Sequence, residues 1–341
     1  MNNIIIILLY GVTFYFLNIF LIKKKLLLDQ ILSSSHKIFF HKKQIPLSGG
    51  ILFLSLLILF LNSFDLMEKI IISSIFLIGL LSDINKLKSP LIRFILQLLS
   101  LILITYISNT FVSYTRLDYL DYFLSKYDFI CAVFTIFCLL VFINGSNFID
   151  GINSLASGYF ISVILILIIL LQKVNVEQLF LISNDLKIII TFLCVFFTFN
   201  FFSKSFLGDN GSYLISLVIG LLSIKISMVL KNSMSPFFIA LLLWYPAFEN
   251  LFSIIRRKFF QRKKIENADN LHLHHLLFVQ LKKTFNDRLS NPLTGIIINS
   301  TNLIFFYLGL QQINNSITLI MLILIKSFIY LCTYLYLRKN N

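Results

Sequence analysis

The sequence predicts an all-α fold, a polytopic bundle of transmembrane helices, and two observations support this fold class. Of its 341 residues 58% are hydrophobic and only 13% are charged, which is more apolar surface than a soluble core absorbs. Apolar runs long enough to span a bilayer also recur from end to end. They lie near 4–22, 47–64, 69–83, 91–109, 128–143, 157–172, 186–202, 212–229, 236–255, 294–310 and 316–337. These segments predict about ten to eleven helices, the lower number applying if one is re-entrant.

The first segment, residues 4–22, carries no charge and is followed by Lys23, Lys24 and Lys25. A cleavable signal peptide would carry its positive charge before the apolar stretch, so we expect a retained helix with the N-terminus outside. With that orientation, 21 of the 29 lysines and arginines fall on the cytoplasmic side and 7 on the other. This agrees with the positive-inside rule. The net charge of +14 therefore indicates basic cytoplasmic loops and no nucleic-acid partner.

We expect one integral-membrane domain over residues 1–341, in the bacterial inner membrane. Its predicted cytoplasmic loops are about 23–46, 84–90, 144–156, 203–211 and 256–293. Polar residues are costly in a membrane unless they line an aqueous site. Here they cluster at the predicted cytoplasmic helix ends: His41–Gly50, Ser82–Asp83 with Arg93 and Gln97, Asn144–Asn153, Gly208–Ser212, and Asp269–His275. A site at the membrane surface suits a reaction between a soluble substrate and a lipid headgroup.

Two of these clusters carry carboxylates in a favourable setting. Asp209 lies in a glycine-flanked turn before a predicted helix, where backbone can approach a phosphate and the aspartate can hold Mg²⁺. Asn144, Asn147 and Asp150 recur at three-residue spacing, which a helix aligns on one face. A plain turn between helices is the alternative for the first cluster, and a cap with interhelical hydrogen bonds is the alternative for the second.

The histidine cluster comprises His272, His274 and His275 in a basic loop. Their spacing is unlike that of usual zinc sites. Imidazoles beside arginines and lysines suit a diphosphate, to which they can donate hydrogen bonds. A solvated loop with incidental histidines is the alternative.

Taken in order, the clusters resemble motifs of the polyprenyl-phosphate N-acetylhexosamine-1-phosphate transferase family. The similar segments are H-x-x-x-I-P-x-x-G-G at His41–Gly50, G-x-x-D-D…S-P-x-x-R…Q from Gly79 to Gln97, N-x-x-N-x-x-D-G-x-x-x-L-A-x-G from Asn144 to Gly158, F-x-G-D-x-G-S at Phe206–Ser212 and D-x-x-H-x-H-H at Asp269–His275. Pro246 and Glu249, before Arg256 and Arg257, also fit the family's helix that precedes the histidine loop. Two departures stand out: Ser82 replaces the first of the family's paired aspartates, and Asn153 stands where many members have a second aspartate.

The resemblance implies a mechanism with named roles. Asp209 and Asp150 would bind Mg²⁺, with Mn²⁺ as the alternative ion, and Asn144 and Asn147 would organise the nucleotide. Asp83 would orient the lipid phosphate or act as a base. The three histidines, His272, His274 and His275, would donate to the diphosphate.

The resemblance also implies roles in the two basic loops. Asp269 would fix an imidazole of the histidine cluster. Lys42 and Lys43 would attract the anionic lipid headgroup.

The resemblance implies transfer of an N-acetylhexosamine-1-phosphate, of the GlcNAc type, from a UDP-sugar to undecaprenyl phosphate, releasing UMP. The product would initiate a surface polysaccharide such as O-antigen, or a cell-wall lipid intermediate. Partners would be these two substrates and the bilayer, and a homodimer stays open. The alternatives are the phospho-MurNAc-pentapeptide translocase of peptidoglycan synthesis, a transporter or flippase of an anionic lipid-linked substrate, and a structural scaffold.

Overall fold

The computed structural model describes residues 3–29, 45–261 and 271–340, and in these ranges the chain is a bundle of helices. The helices are α1 (Asn3–Lys24), α2 (Gly49–Phe60), α3 (Leu66–Asp83), α4 (Pro90–Ile107), α5 (Asp118–Lys126), α6 (Asp128–Ile149), α7 (Leu155–Val174), α8 (Phe180–Phe201), α9 (Gly208–Val229), α10 (Pro236–Leu242), α11 (Trp244–Ile255), α12 (Leu273–Leu281), α13 (Asp287–Gln311) and α14 (Ser316–Asn340). A 3₁₀ turn (Glu177–Leu179) precedes α8, and a π-helical turn (Arg256–Gln261) follows α11. The predicted all-α membrane bundle is confirmed.

Eight helices of the described part are long and apolar enough to cross a membrane, or nine if α10 and α11 form one broken span. The prediction of about ten to eleven is higher because it also counted α2 and α3. Helix α2 has only 12 residues, and α3 carries Glu68, Lys69 and Asp83 within its 18 residues. The predicted position of the N-terminus outside stays a prediction.

Helix α9 is at the centre of the bundle. Of its most apolar window 78% is buried inside the protein, against 22% for α1 and 17% for α14. Small residues along α9 let neighbouring backbones approach closely. A β-carbon added at Gly79 of α3 would lie 2.5 Å from the backbone of Asn210, so glycine allows α3 to pack directly against the start of α9.

The predicted helix over 236–255 is broken, and Pro246 gives the reason. α10 and α11 are bent by 72° at Leu243. Pro246 has no backbone N–H to donate to the carbonyl of Leu242, four residues earlier. The hydroxyl of Tyr159 on α7 donates to that carbonyl instead, so the break lies in packed protein with its freed acceptor satisfied.

Candidate functional site

The polar clusters of the sequence meet at one end of the bundle, because the helices that carry them alternate in direction. Asp83 ends α3, Asp150 follows the end of α6, and Asp209 lies in the first turn of α9. The histidines lie at the start of α12, which follows α11 and its π-helical turn. Some of the loops predicted around these residues are helical: Asn144 and Asn147 belong to α6, and residues 208–211 belong to α9.

Asp209 accepts a hydrogen bond from Ser82, the residue that replaces the first of the family's paired aspartates. Its Oδ2 atom accepts a hydrogen bond from the Ser82 hydroxyl at 2.6 Å and one from Arg93 Nη1 at 3.1 Å. Arg93 also donates to Ser82 at 2.7 Å. Ser82, at the position of the family's first aspartate, thus lies between Asp209 and Arg93. The guanidinium of Arg93 balances the charge of Asp209.

Asp83 positions the start of α9. Its Oδ1 accepts from the backbone N–H of Asp209 at 2.9 Å, and its Oδ2 accepts from the backbone N–H of Asn210 at 3.0 Å and from the Asn210 side chain at 2.5 Å. A carboxylate at a helix N-terminus satisfies orphan N–H groups and favours the helix dipole. Because both oxygens of Asp83 bind the first turn of α9, a role as a base would require one of them to be released.

The two asparagines of α6 bind neighbouring helices. Asn144 Nδ2 donates to Gln97 Oε1 of α4 at 3.0 Å. Asn147 Oδ1 accepts from the Ser212 hydroxyl of α9 at 3.0 Å, and its Nδ2 donates to the Tyr213 hydroxyl at 3.3 Å. The equal spacing in the sequence therefore corresponds to interhelical hydrogen bonds, with Asn147 placed beside the helix that carries Asp209.

Asp150 lines a small crevice together with Asp29 and Asn153. The next residue, Gly151, adjoins the histidine cluster: a β-carbon there would lie 3.5 Å from His275 Cε1 and 3.8 Å from His274 Nε2. The carboxylate loop after α6 and the histidines therefore meet, as the resemblance implies for a common site.

The three histidines are packed together and are buried. Ring centroids are 5.3 Å apart for His272 and His274, 5.7 Å for His272 and His275, and 4.4 Å for His274 and His275. His272 Nδ1 lies 2.9 Å from Glu249 Oε1 on α11. The ring of Phe148 lies 5.2 Å from that of His272. The cluster is thus part of the protein core, which disagrees with the solvated-loop alternative.

Three residues predicted for the site, Lys42, Lys43 and Asp269, lie outside the described residues. Their predicted roles toward the lipid headgroup and the imidazole stay predictions. The same holds for His41 of the first motif.

The residues of the site suit a hard cation that is bound partly by the protein and partly by substrate phosphates. Within the ranges that the structure describes, no group of three or more histidine, cysteine, aspartate or glutamate side chains could hold a metal ion by itself. Mg²⁺ commonly takes one or two carboxylates, with phosphates and waters completing its shell. Among the described residues, the two side chains that donate to the Asp209 carboxylate, Ser82 and Arg93, both bind Oδ2, so Oδ1 is the oxygen that Asp209 offers to an ion.

Several residues at this end were not among the predicted site residues. Ser82 and Arg93 lie in one of the polar clusters of the sequence, but only the packing of α3, α4 and α9 brings them into contact with Asp209. In the sequence, Glu249 fits the motif before the histidine loop, and that motif does not indicate its partners. Tyr330 on α14, which donates to Glu249 at 2.8 Å, carries no signal in the sequence, because a tyrosine in an apolar helix is ordinary.

The fold and this end of the bundle define a multi-pass membrane protein with a site of carboxylates, amides and histidines at its helix termini. Residues 66–227, a little under half of the chain, match the model of glycosyl transferase family 4. The family resemblance found in the motifs is confirmed. The match includes Asp83, Asp150 and Asp209 and ends before Glu249.

Two curated relatives are similar over part of the chain. The probable undecaprenyl-phosphate N-acetylglucosaminyl 1-phosphate transferase of Bacillus subtilis is 32% identical over 147 residues, 42% of this chain and 39% of that protein. The decaprenyl-phosphate N-acetylglucosaminephosphotransferase of Mycolicibacterium smegmatis is 30% identical over 152 residues, 40% of this chain and 37% of that protein. The chain thus matches about two fifths of the length of either relative.

Proposed function

We propose that this protein transfers N-acetylhexosamine-1-phosphate, of the GlcNAc type, from a UDP-sugar to undecaprenyl phosphate. An oxygen of the lipid phosphate attacks the sugar-bearing phosphorus, the bond from that phosphorus to the bridging oxygen breaks, and UMP leaves with that oxygen. The product is an undecaprenyl-diphospho-sugar in the bacterial inner membrane, from which a surface polysaccharide such as O-antigen or a cell-wall intermediate is built.

The observation that carries this proposal is the junction of the α9 start with the ends of α3 and α6. There Asp209 is held by Ser82 and Arg93, while Asp83 fixes the backbone beneath it. The names of both relatives describe a polyprenyl-phosphate N-acetylglucosamine phosphotransferase, and the family match spans this junction.

Charge neutralisation is the main task of the proposed reaction, because two anions must approach each other. Asp209 and Asp150 would hold Mg²⁺, which supplies positive charge to the diphosphate when bound. Arg93, paired with Asp209 at 3.1 Å, is a cation within reach of the same group. His274 and His275, beside Gly151, would donate hydrogen bonds to phosphate oxygens.

The remaining predicted residues have supporting roles in this proposal. Lys42 and Lys43 would attract the lipid headgroup. Asn147 holds α6 against α9, so its contribution to nucleotide binding would be indirect, and Asn144 similarly joins α6 to α4.

One structural feature favours the transporter alternative, because transporter sites are typically built from discontinuous membrane helices. The break between α10 and α11 is such a discontinuity. Its freed Leu242 carbonyl accepts from Tyr159, however, and Trp244 beside it stacks on Phe248 with ring centroids 4.6 Å apart. A packed aromatic interior suits a structural bend better than a substrate path, so we favour the transferase.

The test is UMP release by the purified protein in detergent, supplied with undecaprenyl phosphate, Mg²⁺ and a panel of UDP-N-acetyl sugars that includes UDP-MurNAc-pentapeptide. We expect release with a GlcNAc-type donor and its loss with EDTA, with Mn²⁺ tested for restoration. Release only with the pentapeptide donor would identify the peptidoglycan translocase. No release with any donor would contradict the transferase proposal, and a lipid-flipping assay would then test the transporter.

The proposed role of Asp209 as a Mg²⁺ ligand is tested by a variant in the same UMP-release assay. Asp209→Asn should lower UMP release at least about a hundredfold, the scale of losing one electrostatic stabiliser of a transition state. Asp118→Asn, in the exposed first turn of α5, is the matched control and should keep full activity. Retained activity in a folded Asp209→Asn protein would refute the role of Asp209.

A further inference from the structure

A buried carboxylate on α11 joins the histidine cluster to the last helix. Glu249 is fully buried. Its Oε1 lies 2.9 Å from His272 Nδ1, and its Oε2 accepts a hydrogen bond from the Tyr330 hydroxyl at 2.8 Å. A carboxylate is costly to bury without such partners. Because an apolar residue would fill the same space at less cost, packing does not explain glutamate here.

We infer that Glu249 is a positioning residue that fixes the ring of His272 for the transfer, with Tyr330 holding Glu249 from α14. The inference rests on the proposed function. It adds to that function a residue that lies beyond the region matched by the family model.

The chemistry of the contact determines which ring nitrogen can act. When Glu249 is ionised it only accepts hydrogen bonds, and His272 Nδ1 then carries the proton between them. The nitrogen left for a phosphate oxygen is then Nε2. When the ring binds a second proton, Nε2–H can donate to the diphosphate while Glu249 supplies the compensating negative charge.

A second contact of α14 fixes the backbone next to the same histidine. Tyr334, one turn after Tyr330, accepts from Arg256 Nη1 at 3.1 Å. Arg256 also donates to the carbonyl of Leu271, the residue before His272. The last helix therefore holds the ring through Glu249 and the chain through Arg256, although it is the least buried of the eight candidate membrane spans.

The test uses the full-length protein labelled with ¹⁵N-histidine, in detergent, with the variants Glu249→Gln and Glu249→Asp. In the wild type we expect one histidine with a strongly hydrogen-bonded Nδ1–H, assigned by its loss in His272→Gln. Glu249→Gln should change that signal and lower kcat about tenfold to a hundredfold, the range for residues that orient an active group. KM for the UDP-sugar should change far less. Glu249→Asp should restore part of both.

Matched variants separate positioning from stability. Glu177→Gln, at an exposed glutamate before α8, and Tyr336→Phe, at an exposed tyrosine of α14, should leave kcat and the NMR signal unchanged. Should Glu249→Gln fail to fold, Tyr330→Phe removes only the hydroxyl bound to Glu249. It should still shift the His272 signal and lower kcat several-fold.

The outcomes distinguish this inference from the proposed function. An unchanged His272 signal and an unchanged kcat, in Glu249→Gln or in Tyr330→Phe, would overturn the positioning role even if the wild type releases UMP. Absence of UMP release by the wild type would refute the proposed function, while the NMR signal would still report whether Glu249 fixes His272.

Discussion

Restoring a carboxylate at Ser82 should strengthen the binding of a divalent cation. The Ser82 hydroxyl lies 2.6 Å from Asp209 Oδ2 and 2.7 Å from Arg93 Nη1. Ser82→Asp would therefore place a second carboxylate next to Asp209, with Arg93 beside both. Carboxylate oxygens are the ligands that Mg²⁺ prefers.

The size of the effect follows from these distances. Two unit charges about 4 Å apart interact by about 4 kcal/mol at an effective dielectric constant of about 20. The repulsion between the two carboxylates is offset by the attraction of the new carboxylate to Arg93 at a similar distance, so the variant should fold. A divalent ion gains one more carboxylate, and after competition from Arg93 we expect about a tenfold to hundredfold higher affinity, about 1.4–2.8 kcal/mol.

The assay is Mn²⁺ binding to the purified protein without substrates, followed by electron paramagnetic resonance. Ser82→Asn is the matched control, because it has the size of aspartate without its charge. Equal affinities for the aspartate and asparagine variants would refute the assignment of this position to the cation site. UMP release at limiting Mg²⁺ would then show whether tighter binding also changes turnover.

Three further predictions concern stability and are checked by thermal unfolding in detergent. Asp83→Asn should lower stability by about 1–3 kcal/mol, because charge-assisted bonds at the start of α9 are lost; an unchanged Tm would contradict the capping role. Gly145→Ala should lower the free energy of unfolding by about 1–3 kcal/mol or more, since its β-carbon would lie 2.0 Å from the Pro246 carbonyl oxygen. Gly11→Ala, with nothing within 4 Å, is its control and should show no loss. Lys326→Met should raise the free energy of unfolding by about 1–3 kcal/mol, and therefore Tm, because the buried amino group has no hydrogen-bond partner among the described residues; a lower Tm would show that its contacts with the rings of Trp244 and Phe306 dominate.

Much of the candidate site could be predicted because its motifs lie at helix termini. The order of Asp83, Asp150 and Asp209 along the chain placed all three at ends of apolar segments, and alternating helix direction brings such ends together. The histidines could be predicted as site residues because three of them lie within residues 272–275. What these residues touch could not be predicted, because hydrogen bonds such as Asp83 to the α9 start join positions 126 residues apart.

Two features of the fold depended on local chemistry that apolar patterning does not resolve. The segment 236–255 is apolar enough to be counted as one helix, and the bend within it arises from the missing N–H of Pro246 together with the Tyr159 hydroxyl that binds the freed carbonyl. Helix α3 is a member of the bundle although its charged residues exclude it from the count of apolar spans. Lys225 of α9 pairs with Glu68 at 2.8 Å, which offsets one of these charges inside the protein.

The sequence by itself determined that this is an all-α membrane protein and which residue types gather at its polar end. Bilayer thickness fixes the length of an apolar helix, and the cost of polar groups in lipid confines them to a site. The tertiary structure decided which partners those residues have: Arg93 and Ser82 for Asp209, the α9 start for Asp83, and Glu249 for His272. These pairings depend on how closely helices pack, and that is set by small residues and bends distributed over the whole chain.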